Sequence, residues 1–399
     1  MNSWLLLNVI DGLLFAAVAI TVLYFFVFSI TSLFSRHNQV SKAKTQRRFI
    51  VLIPSYKQDK VILQSVSTIL GQTYPQRLFD VVVISDHQSE MTNMHLAQYP
   101  ITLLTPNFEK SSKSKSLQYA ILNLPEFKIY DCVIVLDADN VVEPEFLAQV
   151  NDAYECAGTK AIQTHRMSKN RDTTAARLGS IFDEINNSIF RRGHISIGLS
   201  AAIGGSGTVY DFTWFKNHIM NIRTATEDKE LESILMRQHV FVDYFDHIHV
   251  YEEKTRRTHD FNSQRGRWVA AQLHTLLKNI RYLPSAVLHR QYDQIDKILQ
   301  WMLIPRTILM GFILIMSLVL PFIYFSLAIK WWVAAALITF SYALATPDYV
   351  VDKNWDKDFM SAPFLILGGM FNIFRAGSIE AGHQMNFVKK SIKHIKLLR

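Results

Sequence analysis

Cysteine is nearly absent, with only Cys132 and Cys156 among 399 residues. Two thiols build no disulfide framework, and their spacing matches no zinc site. Cys132 falls in an apolar run, where a thiol acts as a small core hydrophobe. His247, His249 and His259 also lack metal-ligand spacing. Internal repeats and low-complexity tracts are missing, which argues against a solenoid or a disordered array. The net charge is +8, but the basic residues are scattered and no nucleic-acid motif accompanies them, so no nucleic-acid partner is expected. Attraction to anionic membrane lipids is the plainer reading of that charge.

Charge is also missing from Gly12 to Phe34, a run long enough to span a bilayer core. A signal peptide would have a basic start, a shorter apolar core and a small-residue cleavage site. Here no Lys or Arg precedes the run, whereas Arg36, Lys42, Lys44, Arg47 and Arg48 follow it. That asymmetry predicts an uncleaved anchor (1–35) with its N-terminus outside and the next domain cytosolic. The sequon Asn186-Asn187-Ser188 would then be silent. Near the other end, Thr307–Ile329 and Trp331–Pro347 read as further spans within a membrane region 305–376, and Phe359–Phe374 as marginal or re-entrant. Residues 276–304 mix apolar, aromatic and basic side chains, as interfacial helices do. The basic tail 377–399 argues for a cytosolic end, which one plus two crossings would satisfy. The expected location is a multi-pass membrane protein of a bacterial inner membrane or its equivalent.

Between the apolar ends, 48–275 reads as an α/β domain with a mostly parallel sheet. "RFIVLIPSYK", "FDVVVISD", "ITLLTP" and "DCVIVLDAD" are strands, alternating with helical segments such as "KSSKSKSLQYAILNL". Ligands of such sheets gather at the carboxyl ends of strands. Here those ends carry Pro54–Tyr56, Asp86 and Asp137–Asp139.

The pair Asp137 and Asp139 ends a buried strand with two like charges, unless a cation lies between them. Magnesium and manganese take one or two carboxylates together with substrate phosphates. A solvated acidic loop is the plain alternative. Thr226-Glu227-Asp228 opens the helical "TATEDKELESIL". Acids there complement the helix dipole, and one of them can also deprotonate an acceptor hydroxyl as a general base. In Gln264-Arg265-Gly266-Arg267-Trp268, Gln264 and Arg267 share a helix face. Arg can bind diphosphate oxygens, and Trp268 offers a flat face to a sugar ring. A membrane-surface helix explains the same residues. "IGGSGTVY" is a tight glycine loop, weak evidence for phosphate by itself. Either Lys113 or Lys115 can reach a phosphate. Asp183 and Glu184 read as surface or interfacial residues.

In this order the pieces resemble the family 2 glycosyltransferases, the membrane-bound group that includes cellulose, chitin and hyaluronan synthases. "VLIPSYK" is similar to the family's first strand, "FDVVVISD" to its uridine-binding segment and "SKSKSLQYAI" to its nucleotide helix. "LDADN", "TED" and "QRGRW" are similar to its metal, base and Gln-x-x-Arg-Trp motifs. The resemblance implies a GT-A type α/β domain and an inverting transfer from a nucleotide sugar, with UDP the expected nucleotide. It places Pro54, Tyr56, Asp86 and Lys113 (or Lys115) on the nucleotide, and Asp137 and Asp139 on the diphosphate and a Mg or Mn ion. Asp228 becomes the base. Gln264, Arg267 and Trp268 close over diphosphate and acceptor, and Glu227, Gly205 and Ser206 fall on the acceptor side.

Two departures bear on the acceptor. The Phe-x-Val-Thr-x-Lys gating segment of cellulose synthases is missing, and the expected spans are too few for their pore. Either a short synthase extends a polysaccharide, completed by a partner subunit or self-association, or the enzyme adds one sugar to a lipid. Ceramide glucosyltransferases resemble the second case in length, anchor and motifs.

Overall fold

The computed structural model describes residues 3–34, 40–224, 226–254, 256 and 258–351, the side chains of 3–7, 258–265 and 267 excepted. Eight strands form one sheet in the order β3-β2-β1-β4-β7-β6-β8-β5. They are β1 (Phe49–Tyr56), β2 (Phe79–Asp86), β3 (Thr102–Leu104), β4 (Cys132–Val135), β5 (Val141–Val142), β6 (Ala161–Ser168), β7 (Thr208–Asp211) and β8 (Val242–Glu252). The expected parallel sheet holds for its first half, where β1 pairs in parallel with β2 and β4, and β2 with β3. The second half departs from it, because β7 runs antiparallel to both β4 and β6 and β5 runs antiparallel to β8. The sheet is therefore mixed. Its reversal follows the glycine turn before β7, where Gly205 and Gly207 take φ of +77° and +65°, a region that suits glycine.

Helices α1 (Ser3–Leu33), α2 (Ile62–Leu70), α3 (Glu90–Leu96), α4 (Lys113–Leu122), α5 (Phe146–Ala157), α6 (Thr174–Asn187), α7 (Gly193–Ser196), α8 (Phe212–Ile219) and α9 (Glu227–Arg237) precede a C-terminal helical region. That region holds α10 (Thr258–Asn279), α11 (Leu283–Leu288), α12 (Tyr292–Met302), α13 (Arg306–Ile323) and α14 (Phe325–Ala345). Two cores cover the two faces of the sheet. Ile62, Val66 and Val150 of α2 and α5 lie over Val51 and Ile134. Leu117, Phe215 and Leu235 of α4, α8 and α9 lie over Ile50 and Val133. Alternation along β1 sends neighbours to opposite faces, and both faces are covered, so the strand reads as one apolar run. Cys132 is buried in the first core, as expected.

Among the described residues three helices are long and apolar enough to cross a membrane, namely Asn8–Leu33, Arg306–Ile323 and Phe325–Ala345. The run Thr307–Ile329, expected as one helix, breaks at Tyr324, whose φ of −156° and ψ of 99° are extended. Pro321 lies in the last turn before the break and removes a backbone donor there. The following span accordingly begins at Phe325, before the expected Trp331. The Trp332 indole donates to the Ser317 carbonyl at 3.0 Å across this hairpin. Asp11 accepts from the Trp331 indole at 2.9 Å and pairs with Lys330, tying α1 to α14. A third apolar cluster packs Val22 and Phe25 of α1 against Ile181 and Ile185 of α6 and Trp331 of α14. The expected segment Phe359–Phe374 and the basic tail lie outside the described residues.

Candidate functional site

Parallel register carries three polar strand ends to one edge of the sheet. Tyr56 aligns with Asp86, and Leu52 with Val135, so the chain emerges at Asp137–Asp139 beside them. Pro54 and Ser55 complete the β1 end, where Tyr56 is half exposed. Asp86 is only 1% exposed. Its Oδ1 lies 2.5 Å from His87 Nδ1, and its buried Oδ2 has no hydrogen-bond partner. A buried carboxylate oxygen without a donor is costly and is a natural acceptor for a ligand hydroxyl or N–H.

At the centre stands Lys113, in the first turn of α4, a helix that Ser112 caps by accepting from the Lys115 N–H. Its ammonium donates to Asp137 Oδ1 at 2.6 Å and to the Gly205 carbonyl at 2.7 Å. It also lies 3.3 Å from Glu227 Oε1. Burial would lower the Lys113 pKa, but the Asp137 and Glu227 carboxylates outweigh it and raise it. One cation thus joins Asp137, the glycine loop and the start of α9. Lys115, the alternative, points away and donates to the Lys110 carbonyl at 2.6 Å.

Glu227 is buried, and burial is the main cause that pushes its pKa up to about 7, with Lys113 opposing and Asp228 adding to it. Asp228 lies against the glycine loop: a Cβ on Gly205 would stand 3.2 Å from Asp228 Oδ2. Gly205 therefore has two reasons to lack a side chain, its positive φ and this approach. Ser206 is fully buried, its hydroxyl donating to Asn140 Oδ1. That oxygen also accepts the Asp137 N–H at 2.9 Å, while the Asn140 amide donates to Asp139 Oδ1 at 3.2 Å. Ser206 and Asn140 thus set the Asp137–Asp139 turn from beneath. Sequence reasoning did not single out Asn140, although it directly follows the aspartate pair.

Burial, and after it the Asp137 carboxylate, raise the Asp139 pKa. Their oxygens are hard donors suited to a divalent cation, so these residues fit Mg or Mn. Among the described residues no group of three His, Cys, Asp or Glu side chains surrounds one point. A two-carboxylate site completed by substrate phosphates and water does not require one.

Trp268 stands on α10 with its ring about half exposed. Gln264 and Arg267 lie in the same helix, but their side chains lie outside the described residues. Glu184 corrects an expectation: it is 1% exposed, its carboxylate held 2.9 Å from His165 Nε2. Its neighbour Asp183 pairs with Lys254. Asp183 is partly exposed, so only Glu184 departs from the expected surface or interfacial placement.

Residues 46–271, more than half of the chain, match the family model described as glycosyltransferase like family 2. Among solved structures, the mannosyltransferase PcManGT from Pyrobaculum calidifontis, in complex with GDP-Man and Mn2+, superposes with a TM-score of 0.59. It is 15% identical, over 92% of this chain and 99% of that one. S. aureus TarS 1-349 gives 0.42 at 14% identity, over 84% and 92%, and its complex with UDP-GlcNAc gives 0.41 at 15%. No curated protein matches the chain in sequence. With its central α/β domain in the GT-A fold, the chain belongs to the glycosyltransferase like family 2.

Proposed function

We propose that this protein is a membrane-embedded, metal-dependent inverting glycosyltransferase that moves a sugar from a nucleotide diphosphate donor to a growing polysaccharide. The observation that carries the reading is the Lys113 ammonium, which holds the Asp137 turn, the Gly205 carbonyl and Glu227 together at one point. Donor-handling and base-bearing segments, distant in sequence, meet there. Mg or Mn held by Asp137 and Asp139 would neutralise charge on the diphosphate leaving group.

In this reading Asp86 and the Pro54–Tyr56 turn receive the nucleoside. Asp228 takes the proton of the acceptor hydroxyl as that oxygen bonds to the anomeric carbon and the bond to the diphosphate breaks. Lys113 keeps Asp137 oriented and offsets its charge. Gln264 and Arg267 meet the diphosphate, while Trp268, Glu227, Gly205 and Ser206 lie toward the acceptor. UDP is the expected nucleotide. PcManGT was captured with GDP-Man, so GDP-sugars belong in the same screen. A lipid acceptor receiving a single sugar is the second reading, and the three candidate spans among the described residues are compatible with it.

Purified protein in lipid nanodiscs, given UDP- and GDP-sugars with manganese, is expected to release nucleoside diphosphate from one donor class. Release that persists unchanged in Asp137→Asn/Asp139→Asn would overturn the metal assignment. A ladder of products supports polymer extension, and one new product supports the lipid reading.

A further inference from the structure

Glu232 lies in α9, one turn beyond Asp228, and is 0% exposed. Its Oε1 accepts the Ile203 N–H at 2.9 Å and lies 3.4 Å from Lys297 Nζ. Its Oε2 accepts from Lys229 at 3.1 Å. Ile203 directly precedes Gly204–Gly205, the turn against which Asp228 rests. One carboxylate therefore fixes the helix that carries Asp228 and the loop that Asp228 touches. Burial would raise the Glu232 pKa, but Lys229, Lys297 and the Ile203 N–H outweigh it and hold it at about 2.

The second cation leads toward the apolar helix α1. Lys297 of α12 is 1% exposed and donates to Gln300 Oε1 at 3.0 Å. The Gln300 amide donates to Asp296 Oδ2 at 2.7 Å and lies 2.9 Å from Nε2 of the buried His194. Tyr24 of α1 donates to Asp296 Oδ1 at 2.7 Å and also lies 2.8 Å from His194 Nε2. Phe28, one turn along α1, stacks on the His194 ring at 3.8 Å. Asp293, at the start of α12, accepts the Ser200 N–H at 2.7 Å and the Ser200 hydroxyl at 2.9 Å. The segment that leads into Ile203 is thus held from the same helix. A buried ionic network adds little net stability but can specify one arrangement.

We propose that Glu232 and Lys297 are positioning residues that set Asp228 against the Gly204–Gly205 loop, and that Tyr24 couples this setting to the apolar helix α1. The inference rests on the transferase reading for its consequence in turnover, but not for its structural content. No donor or acceptor atom is within its claim. Its effect is on the placement of the base.

The test uses the full chain in nanodiscs, with Glu232→Gln, Lys297→Met and the mild Tyr24→Phe. Hydrogen exchange at the Ile203–Ser206 amides reads positioning without any substrate. Faster exchange there in all three variants, with the β1 and β4 amides unchanged, is the expected result. Unchanged exchange in Tyr24→Phe, which removes one hydroxyl and no charge, would overturn the link to α1. In turnover, kcat is expected to fall by about 10-fold to 10²-fold in Glu232→Gln, as for a misplaced base, with donor KM within about threefold. Lys297→Arg should recover most of the Lys297→Met loss, because it restores the charge. A KM change with kcat intact, or wild-type kcat in folded Glu232→Gln, would overturn the assignment. If wild type transfers no sugar from any donor, the functional reading fails, and the exchange data still decide the positioning claim.

Discussion

Glu227→Gln isolates the electrostatic strain at the centre of the site. Burial and the neighbouring Asp228 push the Glu227 pKa from an ordinary 4.5 to about 7, against the pull of Lys113. A folded-state pKa above the unfolded one means that the protein favours the neutral acid. The stability this contributes is complete below about 4.5 and is lost as pH rises through about 7. The gap corresponds to about 3 kcal/mol. Glutamine matches the shape of the neutral acid and never ionises. At pH 4.5 the variant and wild type should therefore unfold at similar temperatures. Above pH 8 the variant should be the more stable by about 3 kcal/mol, an increase of several degrees in unfolding temperature for a domain of this size. Thermal unfolding in nanodiscs from pH 4.5 to 8.5 measures the difference. Parallel curves for the two proteins, with no pH-dependent gap, would refute the claim that the fold holds a strained carboxylate there.

The other expectations concern the same few side chains. Gly205→Ala combines a positive φ with a Cβ 3.2 Å from Asp228 Oδ2; it should cost about 1–2 kcal/mol of stability and lower kcat further than the stability loss explains, read by unfolding and turnover together. Lys113→Met leaves Asp137 and the buried Glu227 without their shared cation, so turnover should fall by more than about tenfold and donor affinity should change with it, as calorimetric titration of the donor would show. Asp86→Asn should weaken nucleotide binding while leaving Mn-dependent quenching at the aspartate pair intact; equal nucleotide affinity would remove Asp86 from the donor site.

The shared edge of the candidate site's first half is legible in the sequence, because parallel strands put their carboxyl ends on one edge. Tyr56, Asp86 and Asp137 each follow an apolar run; the observed register aligns Tyr56 with Asp86, and the β1–β4 pairing ends at Val135, two residues before Asp137. The antiparallel β7 is not legible in the same way. "IGGSGTVY" reads as a tight glycine loop, but the antiparallel pairing of the strand that follows it with β4 is a long-range contact that the stretch itself does not announce. Lys113 and Lys115 look alike in sequence. The Ser112 cap sets where α4 begins, and Lys113 faces Asp137 while Lys115 folds back to Lys110. Glu184 and Glu232 look like surface acids on amphipathic helices, yet His165 in one case and Lys229 with Lys297 in the other carry them inside. Such pairings are made between distant segments and leave no local trace. The break at Tyr324 was hidden by composition, since hydropathy is continuous across it and Pro321 lies three residues upstream.

The most direct measurement follows radiolabel from UDP- and GDP-sugars into polysaccharide or lipid, comparing wild type with Asp228→Asn, each with and without chelator. Transfer by wild type from at least one donor is expected, with turnover lost on chelation and reduced about 10²-fold or more in Asp228→Asn while the donor still binds. Full transfer by Asp228→Asn, or turnover indifferent to chelator, would contradict a base at Asp228 and an ion at Asp137 and Asp139.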